Sequence, residues 1–364
     1  MRKVRVLVVD DAVVVRRIVS DVLSESSEIE VVGTAPNGRL ALAKIPTLDP
    51  DVVTLDIEMP EMDGLATLTE LRKSRPQLPV IMFSTLTERG AQATLDALAL
   101  GASDYVTKPA QARSAALAQE FIREALIPRI LGLGRRWSRT SAPPPVPLPA
   151  PRKTLPSRAD LVAIGVSTGG PNALAEVVRA LPADFPVPIV VVQHMPPVFT
   201  RFLADRLASI SGLAVREGAD GSVVRPGTVW IAPGNFHMTL QRVEGEVRLA
   251  LDQNPPENSC RPAVDPLFRS VAQVFGRHSM ALILTGMGHD GLEGAQEIQR
   301  AGGQVLAQDE ESSVVWGMPG AIVSAGLAEK VLPLGEVAAE LVQRTQVGRL
   351  PGHPGRPATP SVVR

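Results

Sequence analysis

The chain has 364 residues, 45% of them hydrophobic, and a formal net charge of −1. That length carries roughly two domains with a core each, and the apolar content excludes a disordered chain. The charge excludes bulk attraction to nucleic acid or an anionic membrane, and a single cysteine excludes an internal disulfide framework.

The first ten residues, Met1 to Asp10, hold too short an apolar run for a secretory leader. No run of about 18 apolar residues occurs, so no membrane insertion is expected and a cytoplasmic location is. Arg5 to Val9 is a short continuous apolar run, the mark of a buried parallel strand, and it ends in Asp10-Asp11. Val14 to Leu23 has helical spacing; Glu30 to Thr34 reads as strand and Arg39 to Ile45 as helix. Asp51 to Leu55 is a strand ending in Asp56, followed by the loop Met59 to Gly64 and a helix through Arg72. Pro79 to Phe83 is a strand ending in Ser84, then comes a helix from Gly90 to Leu100. Ser103 to Val106 is a strand followed by Lys108-Pro109, and a last helix spans about Ala112 to Ile130. Five strands alternating with five helices predict a doubly wound parallel sheet.

Asp10, Asp11, Asp56, Ser84 and Lys108 all fall just past strand ends. Three carboxylates at one rim repel unless a cation joins them, and hard oxygen donors of this kind suit Mg²⁺. A lysine and a serine across the same rim can hold phosphoryl oxygens. The pattern predicts Mg²⁺-assisted phosphoryl transfer onto a carboxylate.

Residues 1 to about 125 resemble the receiver domain of two-component response regulators, on Asp10-Asp11, Asp56, Met59-Pro60, Asp63-Gly64, Ser84 and Lys108-Pro109. The resemblance implies that Asp56 is the phosphoacceptor. It implies an Mg²⁺ site of Asp11, Asp56 and the Glu58 backbone carbonyl, supported by Asp10. It also implies phosphoryl contacts from Ser84 and Lys108, with Tyr105 as the aromatic switch.

From about Leu131 the helical pattern stops, and residues 131–159 are rich in proline and arginine. Such a stretch buries no core and reads as an extended linker between domains at 1–130 and 160–348. Residues 349–364, with Pro and Gly throughout, read as a tail without fixed structure.

The second domain opens on Leu161-Val-Ala-Ile-Gly-Val-Ser167-Thr-Gly-Gly-Pro171, a strand, a tight turn and a helix start with Ser167 at the turn. A serine there stands at the carboxyl end of a strand, facing the free N–H groups of a helix N-terminus. Val187 to Val192 is a strand ending in Gln193-His194, and Phe199 to Ser209 is an amphipathic helix. Thr228 to Ala232 is a strand, and Thr239 to Val243 with Val247 to Leu251 form a hairpin. Asp265 to Phe275 is helix, Met280 to Leu284 a strand leading to Asp290, Gln304 to Ala307 a strand, and Gly335 to Val347 a final helix. This is a second doubly wound α/β domain, mostly parallel, with an antiparallel hairpin.

Ser167, His194 and Asp290 follow three strand ends. A serine hydroxyl needs a base to take its proton, and an imidazole base needs a carboxylate to fix its tautomer. His237 follows another strand end within reach of the cleft, and His289 is expected to face solvent. No pair of histidines has metal-ligand spacing and no cysteine pairs with them in sequence, so a zinc hydrolase is not expected. The glycine turn lacks the lysine of a P-loop.

Residues 160 to about 345 resemble the catalytic domain of chemotaxis-type protein-glutamate methylesterases. The matching stretches include Ile164-Gly-Val-Ser167-Thr-Gly-Gly, Gln193-His194-Met195-Pro196, Arg261-Pro with Val264-Asp265, Leu284-Thr-Gly-Met287-Gly-His-Asp290-Gly and Gln308-Asp309. The resemblance implies Ser167 as nucleophile, His194 as base and Asp290 as its orienter, with backbone N–H groups of Thr168 and Met287 as the oxyanion hole. It implies hydrolysis of glutamyl methyl esters on chemoreceptors and deamidation of receptor glutamines, activated by phosphorylation. Mg²⁺ would serve the receiver, and hydrolysis would need no cofactor. The implied partners are chemoreceptors and a chemotaxis histidine kinase, with no nucleic acid and a monomeric state. Two alternatives stay open: the same enzyme in a chemosensory array outside motility, and a receiver with a binding output, for which no basic helix-turn-helix is evident.

Overall fold

Short apolar runs, many rich in β-branched residues, build two parallel sheets. The computed structural model describes residues 2–108, 115–138 and 158–348. The first sheet holds β1 (Val4–Val9), β2 (Ile29–Ala35), β3 (Val52–Asp56), β4 (Val80–Ser84) and β5 (Asp104–Thr107), in the order β2-β1-β3-β4-β5. Around it lie α1 (Val13–Ser24), α2 (Gly38–Leu48), α3 (Gly64–Ser74), α4 (Glu88–Ala99) and α5 (Ala115–Ser138).

The second sheet has seven parallel strands. They are β6 (Leu161–Val166), β7 (Ile189–Gln193), β8 (Ala214–Glu217), β9 (Thr228–Ile231), β12 (Ser279–Ile283), β13 (Gln304–Gln308) and β14 (Lys330–Leu332). Their order is β14-β13-β12-β6-β7-β9-β8, and β10 (His237–Val243) with β11 (Glu246–Asp252) forms a separate antiparallel hairpin. The helices are α6 (Gly170–Ala180), α7 (Phe199–Ile210), α8 (Val264–Phe275), α9 (Leu292–Arg300), α10 (Met318–Ser324) and α11 (Leu334–Gln346). Two doubly wound domains with one hairpin are therefore present, as expected. The edge strands β8 and β14 and the short α10 add to the predicted set. They run four, three and seven residues, too short to show a period.

In each sheet the chain reverses its direction of winding at one place, between β1 and β3 in the first and between β6 and β12 in the second. The carboxyl ends of strands at such a point leave a crevice that loops do not fill. Asp10-Asp11 and Asp56 flank the first crevice; Ser167 and Asp290 flank the second.

The expected start of the linker at 131 is corrected. Helix α5 continues to Ser138. Leu133 is buried and Leu131 packs on the same cluster as Val4 and Val6. Two glycines in this stretch permit close approach. A Cβ on Gly134 would lie 2.2 Å from Val4 Cγ1, and one on Gly132 would lie 3.0 Å from Val315 of the second domain. Residues 139–157 of the predicted linker, Pro109 and the predicted tail lie outside the described residues.

The domains meet along α4, the end of β5 and the faces of α6 and α7. Tyr105 stacks on Phe199 with ring centroids 5.1 Å apart and planes 8° from parallel. Arg206 donates to the Leu95 carbonyl at 3.2 Å, Asn172 donates to the Ala102 carbonyl at 3.2 Å, and Arg201 pairs with Glu88 at 2.8 Å. One apolar cluster includes Leu95 and Tyr105 of the first domain and Phe199 and Leu203 of the second. Among the described residues no helix is long and apolar enough to cross a membrane.

Candidate active site

All six residues of β6 are buried, so the strand end fixes Ser167 by backbone alone. Its N–H donates to Thr285 O at 3.0 Å and its carbonyl accepts from Gly170 N at 2.8 Å. Gly169 sits at φ +76, the left-handed region that favours glycine. A Cβ on Gly170 would come within 1.9 Å of Gln193 Oε1, and one on Gly286 within 2.9 Å of Ser167 Cβ. The turn is therefore bare because two neighbouring strand ends close on the serine. Ser167 itself is 8% exposed.

Strand β7 pairs with β6 so that Val166 faces Gln193, which sets Ser167 and His194 side by side one residue beyond. His194 N donates to Val166 O at 3.2 Å, and Gln193 Nε2 donates to Ser167 O at 3.0 Å. His194 Nε2 lies 2.7 Å from Asp290 Oδ2. Asp290 is buried and accepts from Val264 N at 2.7 Å, Asp265 N at 3.1 Å and Asn258 Nδ2 at 2.9 Å. These donors include the first N–H groups of α8, where a carboxylate is favoured. Burial alone would raise the Asp290 pKa; the His194 bond and the α8 N–H groups outweigh it and hold the group ionised. An ionised Asp290 keeps a proton on Nε2 of His194, and Nδ1, on the other side of the ring, is clear of that carboxylate.

The structure thus brings His194 and Asp290 into a bond and seats Ser167 beside them. The Ser167 hydroxyl makes no hydrogen bond to His194 among the described residues. Thr168 N and Met287 N have no acceptor among the described residues, as free N–H groups beside the serine require for an oxyanion. His289 is exposed, as expected. His237 does not line the cleft: it is buried, accepting from Ala263 N at 3.3 Å through Nδ1 and lying 3.1 Å from Pro255 O through Nε2.

Sequence reasoning missed Cys260. Its Sγ lies 3.6 Å from His194 Nδ1, although 66 residues separate the two in the chain. The absence of metal-ligand spacing in the sequence therefore does not hold in space: His194, Cys260 and Asp290 place their ligand atoms within 4.8 Å of one another. Asn258 and Asp265 were also not assigned a role. The loop carrying Asn258 and Cys260 has no periodicity and turns through φ +50 at Asn258 and φ +61 at Ser259.

At the first crevice Asp10 and Asp56 are buried and Asp11 is exposed. Lys108 Nζ lies 2.7 Å from Asp56 Oδ2 and 2.9 Å from Asp10 Oδ2. Burial raises the Asp56 pKa to about 6; Asp10 and Asp11 add to this and Lys108 opposes it. Asp10 Oδ2 makes no hydrogen bond of regular geometry, and the Glu58 carbonyl accepts none among the described residues. Three carboxylates with ligand atoms within 4.8 Å and a free carbonyl form an all-oxygen donor set that fits Mg²⁺. Ser84 donates to the Gly90 carbonyl at 3.1 Å and away from Asp56. Tyr105, expected as a switch, is 8% exposed and covered by Phe199 of the second domain. A cleft of about 630 Å³ beside Asp56 is lined by Asp11, Ile57, Glu58, Met59 and Arg89, among others.

Comparison with known proteins agrees with this layout. The model of the CheB methylesterase family matches residues 162–341, and that of the response regulator receiver domain matches residues 6–118. A protein-glutamate methylesterase/protein-glutamine glutaminase of Trichodesmium erythraeum is 54% identical over 94% of this chain and 99% of its own. One from Nocardioides is 53% identical over 94% of this chain and 96% of its own. The crystal structure of the Thermotoga maritima CheB methylesterase catalytic domain superposes with a TM-score of 0.50 at 46% identity, covering 51% of this chain and 99% of that one.

Proposed function

Because the chain belongs to the CheB methylesterase family, carrying both its receiver and its catalytic domain, we propose that it is a protein-glutamate methylesterase and protein-glutamine glutaminase of chemotactic adaptation. The observation that carries the site assignment is the His194–Asp290 bond at 2.7 Å beside Ser167, on strand ends flanking one crevice.

In this reading His194 Nδ1 takes the Ser167 proton as Oγ attacks the γ-carbonyl of a receptor glutamyl methyl ester. The Thr168 and Met287 N–H groups receive the oxyanion. The C–O bond to methanol breaks as His194 returns the proton, leaving a Ser167 ester. Water, deprotonated by His194, then adds to that ester; the acyl C–Oγ bond breaks as His194 returns the proton to Ser167, freeing the receptor glutamate. With a glutamine substrate the leaving group is ammonia. Asp290 holds the imidazole and balances its charge.

The receiver sets the rate. Asp56 accepts the phosphoryl group from a histidine kinase, with Asp10, Asp11 and the Glu58 carbonyl able to hold Mg²⁺ and with Lys108 and Ser84 able to bind phosphoryl oxygens. Mg²⁺, when bound, offsets the negative charge that gathers there. Ser84 must leave the Gly90 carbonyl to reach that group, which moves the start of α4 and with it the face packed on α7. The test is methanol release from methylated receptor membranes with and without a small phosphodonor. Wild type is expected to respond. Asp56→Asn is expected to show no rise above its own unstimulated rate, and an equal rise would refute the assignment.

The base also sets a pH dependence. The His194 pKa stands at about 10; burial works against this, and the Asp290 bond and the Cys260 contact outweigh it. A folded pKa above the ordinary 6.5 means that the imidazole keeps its proton at neutral pH and gives it up on the alkaline side. Imidazolium cannot accept the serine proton, so the unstimulated rate should climb with pH across roughly pH 7 to 10, after subtracting the Ser167→Ala background. Cys260→Ala should move that climb to lower pH. A flat profile would contradict the assignment of His194.

A further inference from the structure

The reaction above leaves Cys260 without a part, although it touches the catalytic base. It is the single cysteine of the chain, and it is half-buried in the loop between β11 and α8. Zinc holds thiolate sulfur at about 2.3 Å and imidazole nitrogen at about 2.0–2.1 Å; at a tetrahedral angle two such donors stand about 3.6 Å apart. Cys260 Sγ and His194 Nδ1 are 3.6 Å apart.

The outer partners match as well. A metal-bound imidazole commonly gives its second N–H to a carboxylate, which fixes the ring and strengthens the donor nitrogen. Asp290 Oδ2 holds Nε2 at 2.7 Å and is itself held by Val264 N and Asp265 N. The ring is therefore oriented with Nδ1 toward the sulfur before any ion arrives. The His194 side chain is 13% exposed, which leaves a path from solvent.

We propose that Cys260 and His194 form a Zn²⁺ site and that zinc bound there reversibly inhibits the enzyme. Two positions of the tetrahedron stay with water or a substrate oxygen. On binding, the Cys260 thiol proton and any proton on Nδ1 pass to solvent. The sulfur donor selects zinc over Mg²⁺, which the all-oxygen cluster at Asp56 takes instead. Inhibition rests on the reading of His194 as the base for Ser167, because zinc occupies the lone pair that would take the serine proton. Metal binding does not rest on it.

The test uses the full chain in excess Mg²⁺, with Co²⁺ as a coloured stand-in for zinc. With one cysteine present, a thiolate-to-cobalt charge-transfer band reports Cys260 alone. Wild type should show the band and lose it to stoichiometric zinc; Cys260→Ala and the isosteric Cys260→Ser should lack it while keeping a folded far-UV spectrum. Ser167→Ala should keep the band while releasing no methanol, so a wrong nucleophile assignment and a wrong metal site give different results. In the methanol assay zinc should slow wild type, a chelator should restore it, and the half-inhibiting zinc concentration should rise roughly tenfold or more in Cys260→Ala. Each variant is read against its own zinc-free rate. No band in wild type, or equal zinc sensitivity in Cys260→Ala, overturns the proposal.

Discussion

Ser167→Ala is expected to lower both methanol release and glutamine deamidation by at least about 10⁴-fold, to the background set by binding and the oxyanion donors. The two activities should fall together, since in the proposed mechanism both pass through one Ser167 ester. The substitution removes a single oxygen from a side chain whose position is fixed by backbone bonds to Thr285 and Gly170, so the fold should not move. Asp290→Asn is a less clean probe. Asp290 also accepts from Val264 N, Asp265 N and Asn258, so its loss would disturb the start of α8 as well as the imidazole. A Ser167→Ala protein that still deamidates while failing to demethylate would separate the two activities and require a second nucleophile. The measurement is methanol and ammonia release from the same receptor preparation.

The residues that carry this prediction were legible because parallel sheets put chemistry at strand ends. Ser167, His194 and Asp290 each follow a short continuous apolar run, recognisable as a buried strand by its length and flanking residues. The same holds for Asp10, Asp56, Ser84 and Lys108. What was not legible lies where the chain has no period. Cys260 and Asn258 reach the site from a loop whose path depends on left-handed residues and on bonds such as Arg261 to Asn235. Nor could the sequence show that Gly132 and Gly134 extend α5. A glycine at a close helix–strand approach and a glycine ending a helix are the same letter. The interdomain face was equally hidden. Phe199, Leu203 and Leu207 form an apolar stripe like that of any helix on its own sheet, and the pattern does not say which partner covers the rim.

That face leads to the second large effect. Tyr105→Ala is expected to raise the rate without phosphodonor by about three- to tenfold and to shrink the stimulation that phosphodonor adds. The receiver touches both sides of the catalytic turn. Tyr105 covers Phe199, five residues beyond His194, and the Gly169 N–H, two residues beyond Ser167, interacts with the buried Asp104 carboxylate. With Ser167 at 8% exposure, a receptor helix needs these elements to part before its side chain reaches the hydroxyl. A stacked aromatic pair contributes about 0.5–1.5 kcal/mol beyond its buried area, and about 1.4 kcal/mol moves an equilibrium tenfold. The closed and open forms should shift by that ratio. The polar contacts should rank below it. Arg206→Ala removes one half-buried bond to Leu95 O, and Arg201→Ala breaks an exposed ion pair with Glu88 whose effect salt should erase. The variant sits in the receiver, so the proposed catalytic residues keep their own geometry and a change in rate reports access. A Tyr105→Ala protein that still takes phosphoryl at Asp56 yet shows the wild-type unstimulated rate would mean that this contact does not hold the domains closed. Control would then have to rest on the remaining contacts, such as Arg206 to Leu95, Asn172 to Ala102 or the α5 approach at Gly132 and Val315.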